Sequence, residues 1–486
     1  MKLRTALLLT FLILALSSAT ALAQNWQWTQ REGGAGYDLG NAICTDNFGN
    51  CYVASSIAVS RYNPMGVMIW RDSLPPGTRA VNLCWAYDRL YVLCCSTMST
   101  LFIQPYDLTG TQYPSFYSAT GLSGVIEADG AGNLVIGASA SAFLNKIDTT
   151  GAAVWSISAP AATTDLDFDV DRNIYITGRI YNDVTLGTTT LTCEGTDDIL
   201  VAKYDSSGNC IWASDAGRNN TVNPVFKDQG NGIAVDDSGN IYVTGQYADT
   251  FMVGNFVHYS AFPQDNELFL AKWDNNGNFI WVQSGGGWFD QVGTGLVLLS
   301  QNRIAVSGMY VPEMYVQSAQ INGWGDYDAC VVLFDSSGNF LSALTAGGSV
   351  WNDMCNGIAI DGGGNIFTCG SFSSVAYFGS DSLISSANYD VFVARIDFLA
   401  GTNELALNST VSVYPNPCTN EIWFDFANNV AQKQIVFYDA AGRAVKTVAT
   451  SESRTAIPVA DLPAGVYFYH VRLNEVEETN GKFIRL

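Results

Sequence analysis

Carboxylates are the residues of this 486-residue chain with the numbers and spacing to do chemistry: 45 Asp and Glu against 23 Lys and Arg, and only two histidines, His258 and His470. Seven aspartates open the pattern Asp-x-x-Gly-Asn, at Asp46, Asp129, Asp205, Asp236, Asp274, Asp335 and Asp361. An oxygen-rich loop of this kind is one way to hold Ca2+. A hairpin turn is the simpler account, since Asp accepts backbone N–H groups and Gly takes the left-handed position. None of these loops has the twelfth-position Glu of an EF-hand. Asp165, Asp167, Asp169 and Asp171 are a different case. On a strand, alternate residues share one face, so the four would form either a solvated surface or a site for a cation such as Ca2+.

Two carboxylates at a fixed separation also suffice for a glycosidase, yet nothing in the spacing of 45 acids singles out a pair. No His-Glu-x-x-His, Gly-x-Ser-x-Gly or phosphate-loop pattern occurs. An enzyme is therefore not the expectation, and no catalytic residue or cofactor is assigned. The eleven cysteines include no Cys-x-x-Cys pair, which removes zinc-ribbon and thioredoxin-type chemistry. If Asp46 and Gly49 close their turn as a pair, Cys44 stands opposite Cys51. The same register around Asp361–Gly364 leaves Cys355 and Cys369 out of step, so at most one of the two disulfides is expected.

The elements carrying these residues are internal repeats. GIAVDDSGNIYVTG from Gly232 matches GIAIDGGGNIFTCG from Gly357, with weaker copies from Asn41, Val125 and Leu166 and degenerate ones from Val81 and Leu296. Each is two β-rich segments around a turn, a hairpin. A second hairpin follows most of them, as in ILVAKYDSSGNCIW from Ile199 and FLAKWDNNGNFIW from Phe269. Two hairpins make a four-stranded sheet, and seven such units of ~40–65 residues predict a β-propeller of seven four-stranded blades. The last unit lacks its Trp strand, and WQWTQREGG from Trp26 supplies it, so the N-terminal strand is expected to close the last blade. Trp70, Trp155, Trp212 and Trp281 recur at equivalent positions and are read as packing between strands rather than sugar platforms.

These repeats resemble the SBBP-type β-propeller repeat: A-x-D-x-x-G-N-x-Y-V-T-G, then D-x-F-x-A-K-x-D-x-x-G, then Trp and Gly-Gly, from about Asn25 to Asp397. The resemblance implies a propeller in an extracellular setting and no particular activity. After residue 400 the pattern changes. VSVYPNPCTNEIWFDF from Val411, QIVFYDAAGRAV from Gln434, LPAGVYFYHVRL from Leu462 and GKFIRL from Gly481 read as short strands of a small Ig-like sandwich. Their order resembles the type A C-terminal sorting domain of the type IX secretion system. Its motif falls on Tyr414, Pro415, Asn416, Pro417, Gly442, Arg443, Gly465, Tyr467 and Lys482; Cys418 stands where a small residue is more usual. The resemblance implies the type IX machinery as a partner.

Lys2 and Arg4, the apolar run from Ala6 to Leu16 and the small residues of Ala21-Leu22-Ala23 predict a signal peptide over 1–23, cut between Ala23 and Gln24. No later segment reaches ~20 uninterrupted apolar residues, so no transmembrane segment is expected in the mature chain. The expected layout is signal peptide 1–23, propeller 24–400, linker 401–410 and sorting domain 411–486. A net charge of −22 disfavours nucleic acid.

The expected protein is therefore all-β, exported through the periplasm to the surface or medium of a Gram-negative bacterium. It would serve there as a binding or adhesion module for a glycan or protein. A polysaccharide-acting glycosidase or lyase and a purely architectural protein are the rival classes. Long connections after the second strand of the later blades carry Tyr247, Phe251, Phe256, Tyr259, Trp324 and Tyr377, with Trp288 and Trp351 on adjoining links. Insertions of this kind gather on one face of a repeat array, and these eight residues are the expected ligand surface.

Overall fold

The computed structural model describes residues 24–138, 143–217, 227–261, 265–398, 411–414, 418–426, 433–439, 443–473 and 476–485. The expected signal peptide with Ala23, the 401–410 segment, and Pro415, Asn416, Pro417 and Gly442 of the sorting motif lie outside them. The chain forms two compact units, residues 21–399 and the C-terminal residues from 400. Among the described residues there is no helix.

Among the described residues of the larger unit, and apart from two small two-stranded hairpins, seven antiparallel sheets follow one another, six of four strands and one of six. Their first strands are Gly40–Thr45, Thr78–Ala86, Gly124–Ala128, Ala161–Phe168, Gln229–Val235, Val292–Leu299 and Met354–Ile360. Each packs beside the first strand of the next sheet, and the last packs beside the first. This closed cycle is a β-propeller, each sheet a blade. The outermost strand of the last blade is Gln24–Glu32, paired with Asp381–Phe398 from Gln24↔Phe398 to Glu32↔Val391.

The Asp-x-x-Gly-Asn turns explain each hairpin. Asp46 N donates to Asn50 O and Gly49 N to Asp46 O, with Gly49 at φ +77°. This is a type I turn followed by a left-handed bulge residue. The strands thus close on Asp46 and Asn50, one residue beyond the expected register. Cys44 faces Tyr52 and Cys51 faces Thr45, while Cys355 and Cys369 stand opposite Gly370 and Gly357. The expected facing of Cys44 and Cys51 does not survive, Cys355 and Cys369 are out of step as expected, and all eleven cysteines are free.

The Asp46 carboxylate accepts from Phe48 N, Asn50 N, Asn50 Nδ2 and Tyr52 OH. At Asp129, Lys146 Nζ joins at 2.9 Å, and with Asn133 it holds the carboxyl down at about 2 although burial opposes it. Donors occupy the oxygens a metal would need, so at these turns the repeated motif is a hydrogen-bond network. The second signature belongs to it as well. Trp155 Nε1 donates to Ser206 O and Trp212 Nε1 to Asn275 O, in turns of the following blades. A Cβ on Gly208 or Gly277 would meet those indole rings at about 3 Å. Tryptophan and turn glycine are two halves of one contact between blades.

The ring is also stapled from inside. Five first strands carry a bulge whose extra residue reaches the next blade: Asn41 to Ala80 O, Thr164 to Gly230 O, Asn231 to Gly293 O, Thr294 to Cys355 O and Asn356 to Gly40 O. A bulge re-aims one side chain sideways, here across the junction. The second blade has apolar Val81 at its bulge, and the third blade's first strand pairs without a register shift.

The Gly-Gly pairs ending the fourth strands leave room for buried acids. A Cβ on Gly33, Gly286 or Gly347 would collide with the carboxylates of Asp390, Glu267 and Asp328. Gly347→Ala is expected to destabilise the propeller by about 3 kcal/mol through this overpacking, read by urea denaturation. Gly362, whose Cβ would meet nothing, should tolerate Ala with little change.

The smaller unit packs a sheet of Val411–Tyr414, Glu421–Phe426 and Arg454–Pro458 on a sheet of Lys433–Tyr438, Ala444–Thr450, Gly465–Leu473 and Val476–Arg485. Ile422, Phe424 and Ile457 of the first meet Ile435, Phe437, Val471 and Phe483 of the second in one core. Of the sorting motif, Tyr467 is buried and donates its OH to Pro463 O, and Arg443 holds Asp439 at 2.7 Å across its turn. Tyr414, Gly465 and Lys482 lie in strands.

Candidate functional site

The first strands of all seven blades line a central cavity of about 820 Å3. Glu127, Asp165 and Asp167 are the carboxylates on its wall. Asp165 accepts Ile233 N at 2.9 Å and Asp167 accepts Val235 N at 2.8 Å. Both therefore serve the edge of the fifth blade's first strand. Burial pushes Asp165 up to about 7 and Glu127 to about 8, and raises Asp167 against its backbone hydrogen bonds.

The four alternating aspartates do not share a face. The strand ends at Phe168; Asp169 accepts from Asn173 and Tyr175 in the turn beyond, 3.6 Å from Lys203, and Asp171 is exposed. Among the described residues no group of three or more His, Cys, Asp and Glu is arranged to hold a metal ion.

A second set of acids lies buried at the blade corners. Desolvation raises Asp198 and Asp353 to about 7 and Asp328 to about 6, although backbone N–H groups favour their charged forms. Their folded values stand above the unfolded value of about 3.9, so the folded state holds protons that the unfolded state has released. That contribution is complete below the unfolded value and fades as pH rises through about 7. The melting temperature is expected to fall between about pH 4 and pH 7. Asp198→Asn, which fixes the neutral form, should flatten that slope in calorimetry.

The expected ligand surface lies at the rim opposite the Asp-x-x-Gly-Asn turns of the first hairpins. Its long connections fold as extra hairpins that clasp the preceding blade. Met252 O accepts Gly217 N, Val316 and Tyr315 pair with Gly285 and Gly286, and Tyr377 bonds Gly347 in both directions. Tyr247 and Phe251 are fully buried: Tyr247 donates to Glu267 and Phe251 packs on Phe269. Both leave the candidate surface, because a clasp must bury one face of its hairpin. Phe256, Tyr259, Trp288, Trp324, Trp351 and Tyr377 are exposed.

Trp324 lies 6.3 Å from Tyr377, ring to ring. Asp290 joins the next connection by accepting Asn266 N and Tyr327 OH. Phe289 and Trp351 occupy equivalent links at φ +70° and +68°, a conformation costly for a bulky residue. Phe289 escaped the sequence reading. Aligning Gly-Trp-Phe-Asp with Ser-Val-Trp-Asn would have paired it with Trp351. Glu127 escaped because one acid in an apolar strand carries no pattern.

Comparison with known proteins bears on both units. Residues 412–485 match the model of the secretion system C-terminal sorting domain, and residues 226–246 match a β-propeller repeat of the SBBP family. An uncharacterized WD repeat-containing protein of Acanthamoeba polyphaga mimivirus is 27% identical over 179 residues, 29% of this chain; the match spans 12% of that protein's length. The WD40 domain of Neurospora crassa Pan2 superposes with a TM-score of 0.46 at 9% identity, covering 77% of this chain and 96% of that one. A protein of unknown function from Bacteroides caccae gives 0.34 at 13% identity, covering 53% and 93%. Among the described residues no helix is long and apolar enough to cross a membrane.

Proposed function

We propose that this type IX secretion substrate, whose sorting domain directs it to the cell surface or beyond, uses the rim of its propeller to bind an extracellular glycan or protein. The observation carrying this reading is the exposure of Trp288, Trp324 and Trp351, at 63%, 64% and 63%, among tryptophans that are otherwise buried or half-buried. An exposed indole gives a large, rigid contact area at little entropic cost, and such residues dominate binding energy. The test is a screen of the mature chain against glycans and proteins by thermal shift. Any ligand found should lose at least about tenfold in affinity with Trp324→Ala or Trp351→Ala at unchanged melting temperature. A ligand indifferent to both substitutions refutes the rim.

A carbohydrate-acting enzyme has one observation in its favour, the raised carboxyls of Glu127 and Asp165 in an open cavity. Asp165 and Asp167 are engaged by the fifth blade's backbone, whereas glycoside chemistry asks for two acids directed at the sugar. Binding is the better-supported reading.

A further inference from the structure

The charge around these aromatic rings is one-sided. From Asp228 to Asp390 the chain has sixteen Asp and Glu and only two Lys or Arg, Lys272 and Arg303. Neither basic residue serves the rim. Lys272 lies over the Tyr242 ring near the hairpin turns, and Arg303 opens its strand at the turn end, donating to Ser300 O. Arg31, from the closing strand, reaches the rim's outer corner but is tied to Asp390 and Ile384 O.

The rim itself holds acids beside its rings. Asp326 is exposed two residues from Trp324. Tyr327 is pushed up to about 12 by burial and then by the charges of Asp290, Asp265 and Asp326. Exposed aromatic faces with carboxylates among their neighbours, and with neither Lys272 nor Arg303 turned to them among the described residues from 228 to 390, form a receptor for a cation. A guanidinium fits best, because it stacks on an aromatic face while its N–H fork engages a carboxylate.

We propose that the partner of this rim is a basic polypeptide segment, held through its arginine side chains. The inference rests on the rim being the binding surface and adds the chemistry of what binds there. It is tested by titrating the mature full-length chain with an Arg-Gly repeat peptide, a Lys-Gly repeat peptide and a neutral β-glucan oligosaccharide, in calorimetry at low and high salt.

The Arg-Gly peptide should bind, the Lys-Gly peptide more weakly and the sugar not at all, and added salt should weaken the peptide. Trp324→Ala and Asp326→Asn should each lower the affinity about tenfold. Asp237→Asn, an exposed acid in a turn at the other end of the blade, should leave it unchanged. Peptide binding insensitive to Trp324→Ala and Asp326→Asn would be diffuse attraction to a −22 chain and would overturn the proposal. A β-glucan bound through Trp324 without salt dependence would also overturn it, while sparing the rim as a binding surface. Failure of the Arg-Gly peptide to bind at low salt overturns it outright.

Discussion

Truncated after Phe398, the chain is expected to fold normally and to remain inside the cell envelope. The propeller's last strand ends there, and the seven sheets and their closing strand all precede it. The C-terminal unit encloses its own core of Ile422, Phe424, Phe437, Val471 and Phe483, so the propeller is expected to fold without it. Loss of export would thus report a missing signal rather than a misfolded cargo. Fractionation should shift the protein from medium and surface to periplasm, and its melting curve should match that of the propeller within the full chain. Normal release of a folded, truncated chain would show that residues 411–486 are not what sorts it.

Deleting Gln24–Glu32 should cost the ring on the order of 5 kcal/mol or more, by the scale of losing one large buried aromatic. Trp26 is buried edge-on against Phe378, and Trp28 contacts Tyr62 and Phe367 while donating to Pro64 O in the first blade. Glu32 accepts from Ser60, Tyr62 and Arg71 of that same blade. This strand therefore completes one sheet and ties the last blade to the first. Its loss also bares the edge of Asp381–Phe398 to pairing with other chains. The expected readouts are a much lower melting temperature and concentration-dependent aggregation. A melting curve unchanged by the deletion would place closure elsewhere.

Much of this was legible because repetition is visible in one sequence. The Asp-x-x-Gly-Asn turns, the Lys after the third-strand Ala and the outer Trp each recur with their partners, so blade, turn and closure could be read together. Three features were not. The turn register was misjudged at Cys44 and Cys51 because a four-residue signature says nothing of the fifth residue, Asn50, that closes the loop. The inner bulges were invisible, since Asn41, Thr164 and Asn231 look like ordinary strand residues until one is seen to point sideways. Tyr247 and Phe251 were assigned to the surface because length marks an insertion without saying which face it lays on its neighbour. Phe251 and Tyr259 show the difficulty: both lie at the base of one hairpin, and only its folding shows that the first is buried and the second exposed.

The inner staples make the ring's junctions unequal. Five consecutive junctions, running from the fourth blade round to the second, carry the same side-chain-to-carbonyl bond. At the two junctions of the third blade the pattern gives way to Asn82 accepting Ile126 N and Thr163 donating to Phe143 O. The extra hairpins that clasp neighbours are likewise confined to the later blades. The first strands form a closed cycle, so separation of the inner ring is expected at its weakest junction, and the third blade, which lacks the shared staple on both sides, supplies one. Native-state amide exchange should accordingly be fastest in Gly124–Ala128 among the seven first strands. A protease acting on the intact protein would find its way in there, far along the chain from either terminus.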